Sequence, residues 1–177
     1  MKGSMISHDL IQSILERYAL PLEGIHGVPH WARVLENGRR LSVITGAQRD
    51  IVELFAVFHD SQRINEGVDD GHGRRGSELA RDLRGVLYEL DDRAFELLIQ
   101  ACDFHTEGYL DGDVTLRTCW DADRLDLSRV GISPRAEKLC TEEAKDPGLL
   151  EWAVKRSEQF FVPGLVSKEW GLQLLEH

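Results

Sequence analysis

The sequence predicts an all-α fold in a single domain, and three observations carry that reading. Apolar residues recur at helical spacing along most of the chain. No segment shows the strict alternation of a strand ladder. A length of 177 residues allows one substantial core but not two.

The first helix is expected from Ser7 to Ala19, with Leu10, Ile11, Ile14, Leu15 and Tyr18 on one face and Pro21 ending it. Ser7 suits the N-cap and Asp9 the positive end of the helix dipole, so the dipeptide His8-Asp9 needs no further role. Gly24-Ile25-His26-Gly27 reads as a turn, after which Pro29 can occupy the opening of a second helix. That helix carries His30, Val34, Leu35 and Leu41 and closes at Gly46. A third, from Gln48 to His59, is apolar nearly all round and so belongs at the centre. It ends on the pair His59-Asp60.

Ser61 to Gly76, rich in Gly, Asp and Arg, reads as one loop of about 15 residues, a length that commonly serves function. Helical spacing resumes from Ser77 to Leu90, Asp92 to His105, Thr115 to Val130 and Leu149 to Phe161. Gly112 and Ile132-Ser133-Pro134 punctuate the intervals. The last helix, around Leu150, Trp152 and Phe160-Phe161, suits either core cover or a homodimer surface.

Bulk composition excludes several classes. With 42% hydrophobic and 29% charged residues the chain has the make-up of a soluble globular protein. No window approaches the roughly 18 consecutive apolar residues of a membrane span, and the first residues do not form a signal peptide. A net charge of -10 argues against general nucleic-acid binding, so any phosphate must be met by a local group of basic residues. Cys102, Cys119 and Cys140 are an odd set without CxxC spacing, which suits small buried hydrophobes in a reducing cytoplasm. Residues 175–177, Leu175-Glu176-His177, resemble the remnant of an affinity tag and leave residues 1–174 as the domain.

Candidate ligands stand out at the ends of the expected helices: His30, His59, Asp60, His72, His105, Asp121 and Asp123. Each alone has a plain structural explanation as a cap, a loop residue or a dipole partner. Together, converging in a helical bundle, they would require a compensating cation, because buried charges are costly unpaired. Successive helical side chains turn by about 100°, so Asp121 and Asp123 point to nearly opposite sides and one of them faces the metal. Asp123 is the choice, with Asp121 left to hydrogen-bond a ligand from outside. By the same geometry His59 and Asp60 can both reach one ion only if their helix stops there.

The order His30, His59-Asp60, Ala122-Asp123-Arg124-Leu125 resembles the HD-domain superfamily of metal-dependent phosphohydrolases, over roughly residues 25 to 130. Phe58-His-Asp-Ser-Gln-Arg63, Gly71-His-Gly-Arg-Arg75 and Cys119-Trp-Asp-Ala-Asp-Arg-Leu-Asp-Leu127 are similar to small stand-alone bacterial members without assigned substrates. The resemblance implies an HD-type helical bundle and metal ligation by His30, His59, Asp60 and Asp123. His72 and His105 fall where two-metal members place further histidines. Phe104 to Tyr109 is only faintly similar to the HD-GYP signature; its paired histidines and Gly-Tyr-Pro run are absent, which argues against a cyclic-dinucleotide phosphodiesterase. Arg63 stands where several nucleotide-hydrolysing members carry an acid.

Two imidazoles and two carboxylates suit a divalent ion such as Mn, Fe, Co, Ni, Zn or Mg. Such an ion would supply a water nucleophile near neutral pH and polarise a phosphoryl oxygen, with no protein nucleophile. The expected reaction is hydrolysis of a small soluble phosphoester or nucleotide, with Asp60 and Arg63 catalytic. Arg63, Arg33, Arg74 and Arg75 are the candidates for holding phosphate, and Glu66, Asp69 and Asp70 for orienting water. Two rival readings remain: a di-iron oxygenase completed by His72 and His105, and a regulatory module in which metal only staples the helices. The second predicts a closed coordination sphere without an adjoining cavity.

Overall fold

A computed structural model describes residues 3–175, so the tag expectation for Glu176 and His177 lies outside the described residues. Eight α-helices and three 3-10 turns make up the regular structure, with no strand among the described residues. The helices are α1 (His8–Leu15), α2 (Val28–Thr45), α3 (Arg49–Phe58), α4 (His72–Leu83), α5 (Asp92–Phe104), α6 (Val114–Arg124), α7 (Pro147–Glu158) and α8 (Leu165–Lys168). The 3-10 turns are Leu127–Val130, Ala136–Lys138 and Glu143–Lys145. No described helix is long and apolar enough to cross a membrane.

The central helix is α3, in which every residue from Ile51 to Phe58 is buried. It packs against α2, α5 and α6, the helices that carry or precede the candidate ligands. Its apolar length thereby fixes where His59 and Asp60 emerge. Ser7 caps α1, its hydroxyl accepting from the Leu10 amide. Gly46, at φ 76°, ends α2 in the left-handed conformation glycine tolerates best.

Several boundaries differ from the sequence expectation. The helix α1 stops at Leu15, four residues early, and the one following the loop stops at Leu83 rather than Leu90. The expected loop of residues 61–76 is shorter, because α4 begins at His72. Its Gly73 and Gly76, which look like loop residues, are instead close-approach residues. A Cβ on Gly73 would lie 2.3 Å from the Cys102 carbonyl oxygen, and one on Gly76 would lie 2.4 Å from that of Phe58. The helical penalty of glycine, about 1 kcal/mol relative to alanine, is outweighed by letting α4 lie against α3 and α5. The helix expected to reach Val130 ends at Arg124, and the chain continues through a turn into the 3-10 segment. This break directs Asp126 and Arg129 towards His30 and Asp60.

Leu149 and Ala153 of α7 join Leu41, Leu125, Leu139 and Ala144 in a second apolar cluster, so this face of the helix is core cover. Phe160 and Phe161, just beyond α7, are exposed. All three cysteines are free; Cys102 and Cys119 are buried and Cys140 is half-buried.

Glu53 is the one acid on the buried run of α3. Burial disfavours its charge, but hydrogen bonds from Ser4, Arg49 and Arg39 overcome that and hold the carboxyl below its ordinary range. A depressed folded pKa contributes stability above the unfolded value, and that contribution disappears as pH falls through the folded value. Glu53→Gln should therefore cost about 1–3 kcal/mol near neutral pH. The melting-temperature gap to wild type should shrink on acidification below about pH 4.5, the ordinary Glu value. A gap constant from pH 7 to pH 3.5 in thermal melts would contradict this origin.

Candidate metal centre

Four of the candidate histidines and two of the candidate aspartates meet at the end of α3. His30 comes from the first turn of α2, His59 is the C-cap of α3, and Asp60 follows it. His72 opens α4, His105 caps the end of α5, and Asp123 lies in the last turn of α6. The chain stops being helical at His59, and the His59-Asp60 pair can therefore present both side chains to one centre.

Asp60 is the hub. Its Oδ2 lies 3.0 Å from His26 Nδ1 and 3.3 Å from His30 Nε2. Its Oδ1 lies 3.1 Å from His72 Nε2 and 3.6 Å from His105 Nε2. Two groups that can hold a metal ion result, His30-His59-Asp60 and Asp60-His72-His105, with one carboxylate shared. Asp123 joins the first, its Oδ1 being 3.3 Å from His30 Nε2 and 3.4 Å from His59 Nε2.

The protonation pattern suits a cation. The Nδ1–H of His59 donates to the carbonyls of Phe55 and Ala56, that of His72 to Asp69, and that of His105 to Cys102. The Nδ1–H of His30 donates to Asp126 Oδ2 at 2.7 Å. These bonds leave each Nε2 as a lone pair turned inward, the tautomer metal-ligating histidines adopt. Yet His30 Nε2 stands 3.1 Å from His59 Nε2, and His72 Nε2 stands 2.9 Å from His105 Nε2. Two lone pairs at that separation repel unless a proton or a metal ion lies between them. Asp123 Oδ1 is also buried without a hydrogen-bond partner. An orphaned carboxylate oxygen beside converging imidazole lone pairs fits a divalent cation.

Without an ion, protons take that part. Burial and Arg129 oppose charge on His30, but the nearby carboxylates of Asp123, Asp126 and Asp60 push its pKa up to about 9. Burial pushes His59 the other way, against the pull of Asp60 and Asp123, so His30 holds the proton of this pair. For Asp60 and Asp123 burial opposes ionisation, yet the surrounding histidines keep both well below the usual carboxylate range.

A cavity of about 840 Å³ beside Pro29, Phe160 and Leu174 touches none of these ligands. A smaller one of about 420 Å³ opens directly on Asp60, Asp123 and His105, with His26, Arg63 and Arg129 in its walls. Of these two cavities, the smaller one is where open space meets the candidate ligand atoms.

Of the basic candidates, Arg63 lines this cavity. Its Nε donates to Asp60 Oδ1 at 3.2 Å and its Nη1 to the Gly67 carbonyl. The other three are engaged elsewhere. Arg33 is buried against Asp126 and the Phe161 carbonyl. Arg74 is exposed and faces Glu78 one helical turn on. Arg75 donates to Asp69 and to the carbonyls of Gln62 and Asp70. Asp121 is not at the centre either; it accepts from the amides of Cys140 and Thr141 and from the Thr141 hydroxyl, pinning that segment to α6. Among the loop acids, Asp69 binds Arg75 and the Ile64 amide, Glu66 lies against Gly24, and Asp70 is exposed.

Three residues of the site were not singled out from the sequence: His26, Asp126 and Arg129. Arg129 is buried, its Nε donating to the Ile25 carbonyl and its Nη1 to the Asp126 carbonyl, which leaves Nη2 3.9 Å from Asp60 Oδ2. Asp126 was detectable as the residue three places after Asp123, on the same side of a helical turn.

No family model, no curated protein and no solved structure matches this chain.

Proposed function

We propose that the protein is a metal-dependent phosphohydrolase of the HD type, acting on a small phosphoester. The observation that carries this reading is the opening of a cavity walled by Arg63 and Arg129 onto Asp60, Asp123 and His105. A purely structural metal would be enclosed by its ligands and would not need this arrangement. His30, His59, Asp60 and Asp123 would hold one ion and Asp60, His72 and His105 a second. A divalent ion, when bound, lowers the pKa of water and polarises a phosphoryl oxygen.

The residues of the chain do the rest. Arg63 and Arg129, fixed by carbonyls on either side of Asp60, present planar donors to phosphoryl oxygens. Asp126, the Asp69 carbonyl and the Cys102 carbonyl hold imidazole rings in register. Shared use of Asp60 also favours a two-ion centre, which keeps di-iron oxygen chemistry as a second reading.

The test is phosphate release from a panel of phosphorylated metabolites by protein loaded with Mn, Co, Ni, Zn or Mg. Arg63→Ala and Arg129→Ala are expected to raise KM about tenfold while bound metal stays at the wild-type level. Absence of release with every metal, together with oxygen uptake by anaerobically iron-loaded protein, would replace the hydrolase by the oxygenase reading.

A further inference from the structure

Beyond the metal ligands, the cavity continues outward. A second recess of about 230 Å³ shares Arg124, Leu127 and Lys138 with the first. The shared wall is cationic, and the recess beyond it is lined by Leu127, Ile132, Pro134 and Leu139 together with Ser133 and Arg135, whose guanidinium pairs with Glu137. Along this path the centre offers, in order, metal ligands with Arg63 and Arg129, then Arg124 and Lys138, then a mostly apolar recess.

The middle pair is the informative part. Arg124 directly follows the ligand Asp123, and its hydrogen bonds go to neutral acceptors, the carbonyls of Lys138 and Tyr109 and the Cys140 sulfur. Its charge is therefore not cancelled by those contacts. Lys138 is exposed at the same wall, so its ammonium can turn to an anion there. In a chain with 31 acidic and 21 basic residues, the only carboxylates lining the two cavities among the described residues are Asp60 and Asp123. One phosphoryl group is matched by Arg63 and Arg129. A second cationic pair next to the ligand Asp123 suits a second phosphoryl group bonded directly to the first. The mostly apolar recess then suits an organic part without hydrogen-bonding groups of its own, since those would lose their water unpaired.

We propose, resting on the phosphohydrolase reading, that the substrate is an alkyl or aryl diphosphate, its terminal phosphoryl group at the metal ligands and its inner one at Arg124 and Lys138. In the reaction a water oxygen forms a bond to the terminal phosphorus. The bond from that phosphorus to the bridging oxygen breaks, and its electron pair stays on the bridging oxygen. The products are inorganic phosphate and the organic monophosphate, with the protons of water passing to phosphate and solvent.

The test compares isopentenyl monophosphate and isopentenyl diphosphate as substrates of manganese-loaded protein, and measures calorimetric binding of the hydrolysis-resistant isopentenyl methylenediphosphonate. Wild type should favour the diphosphate in kcat/KM by about tenfold or more, and Lys138→Ala should bring that ratio towards one. Ile132→Asp, at an exposed position, should weaken the diphosphonate more than it weakens inorganic pyrophosphate. Equal use of both substrates by wild type, or a ratio that Lys138→Ala leaves intact, would overturn the diphosphate site and leave the hydrolase reading standing. Diphosphonate binding that depends on Lys138, without turnover of any phosphate ester, would do the reverse. Neither turnover nor binding would overturn both.

Discussion

Asp60→Ala protein is expected to retain no metal after purification, whereas His59→Ala should lose one ion and keep the other. Asp60 is the one carboxylate placed between the two groups, with Oδ2 towards His26 and His30 and Oδ1 towards His72 and His105. Removing an outer partner of a ligand typically weakens metal binding about 10–100-fold. Removing a ligand common to both groups should exceed that range for each ion, and any phosphatase activity should vanish with them. The metal-free protein should also lose stability. Asp60 is 2% exposed, and its loss leaves His30, His105 and Arg63 without their shared counter-charge. Breaking a buried charge pair of this kind costs about 3–5 kcal/mol. Elemental analysis of both variants and thermal melts in chelator would check the two parts. Wild-type metal content in Asp60→Ala would refute the shared-carboxylate arrangement.

How far the centre was legible in the sequence depended on whether local spacing or tertiary packing places each residue. The all-α fold was legible because helical spacing is a local property, and α3 was central on the same ground. Helix-end geometry bears on the His59-Asp60 pair and on Asp123 over Asp121, while the full set with His30 is what the resemblance to the HD-domain superfamily implies; the structure sets the four within contact of one another. The place of Asp121 is not legible because its partners, the amides of Cys140 and Thr141, come from a segment without periodicity. Arg33 and Arg75 lie elsewhere for a related reason. A guanidinium reads as free in sequence, but Arg33 and Arg75 each have a carboxylate in reach once the helices pack. The Gly-rich stretch misled in the opposite direction: Gly73 and Gly76 are small so that α4 can touch α5 and α3, which no count of turn residues reveals. His26 and Arg129 remained hidden because they approach Asp60 across more than thirty residues of chain, one from a turn and the other from a 3-10 segment.

Asp126→Ala should be the most damaging substitution outside the ligands themselves. The side chain is 1% exposed and binds two buried cationic partners at once, His30 Nδ1 at 2.7 Å and Arg33 at 2.8 and 3.1 Å. Its loss frees the His30 ring to turn and removes the bond that directs Nε2 towards Asp60 and Asp123. Metal affinity should fall about 10–100-fold, as for other outer partners of ligating histidines. Its loss also leaves Arg33, 2% exposed, with only the Phe161 carbonyl among the contacts described above. That adds a folding cost of about 3–5 kcal/mol. Asp126→Asn, which keeps the shape and an acceptor oxygen, should recover part of the metal affinity and less of the stability, because an amide can hold the imidazole N–H but cannot neutralise the guanidinium. Chelator competition and denaturant unfolding on the two variants separate these roles. Should Asp126→Ala bind metal as tightly as wild type, His30 would have to be oriented by its helix alone, and the link from the 3-10 turn to the metal centre would be lost.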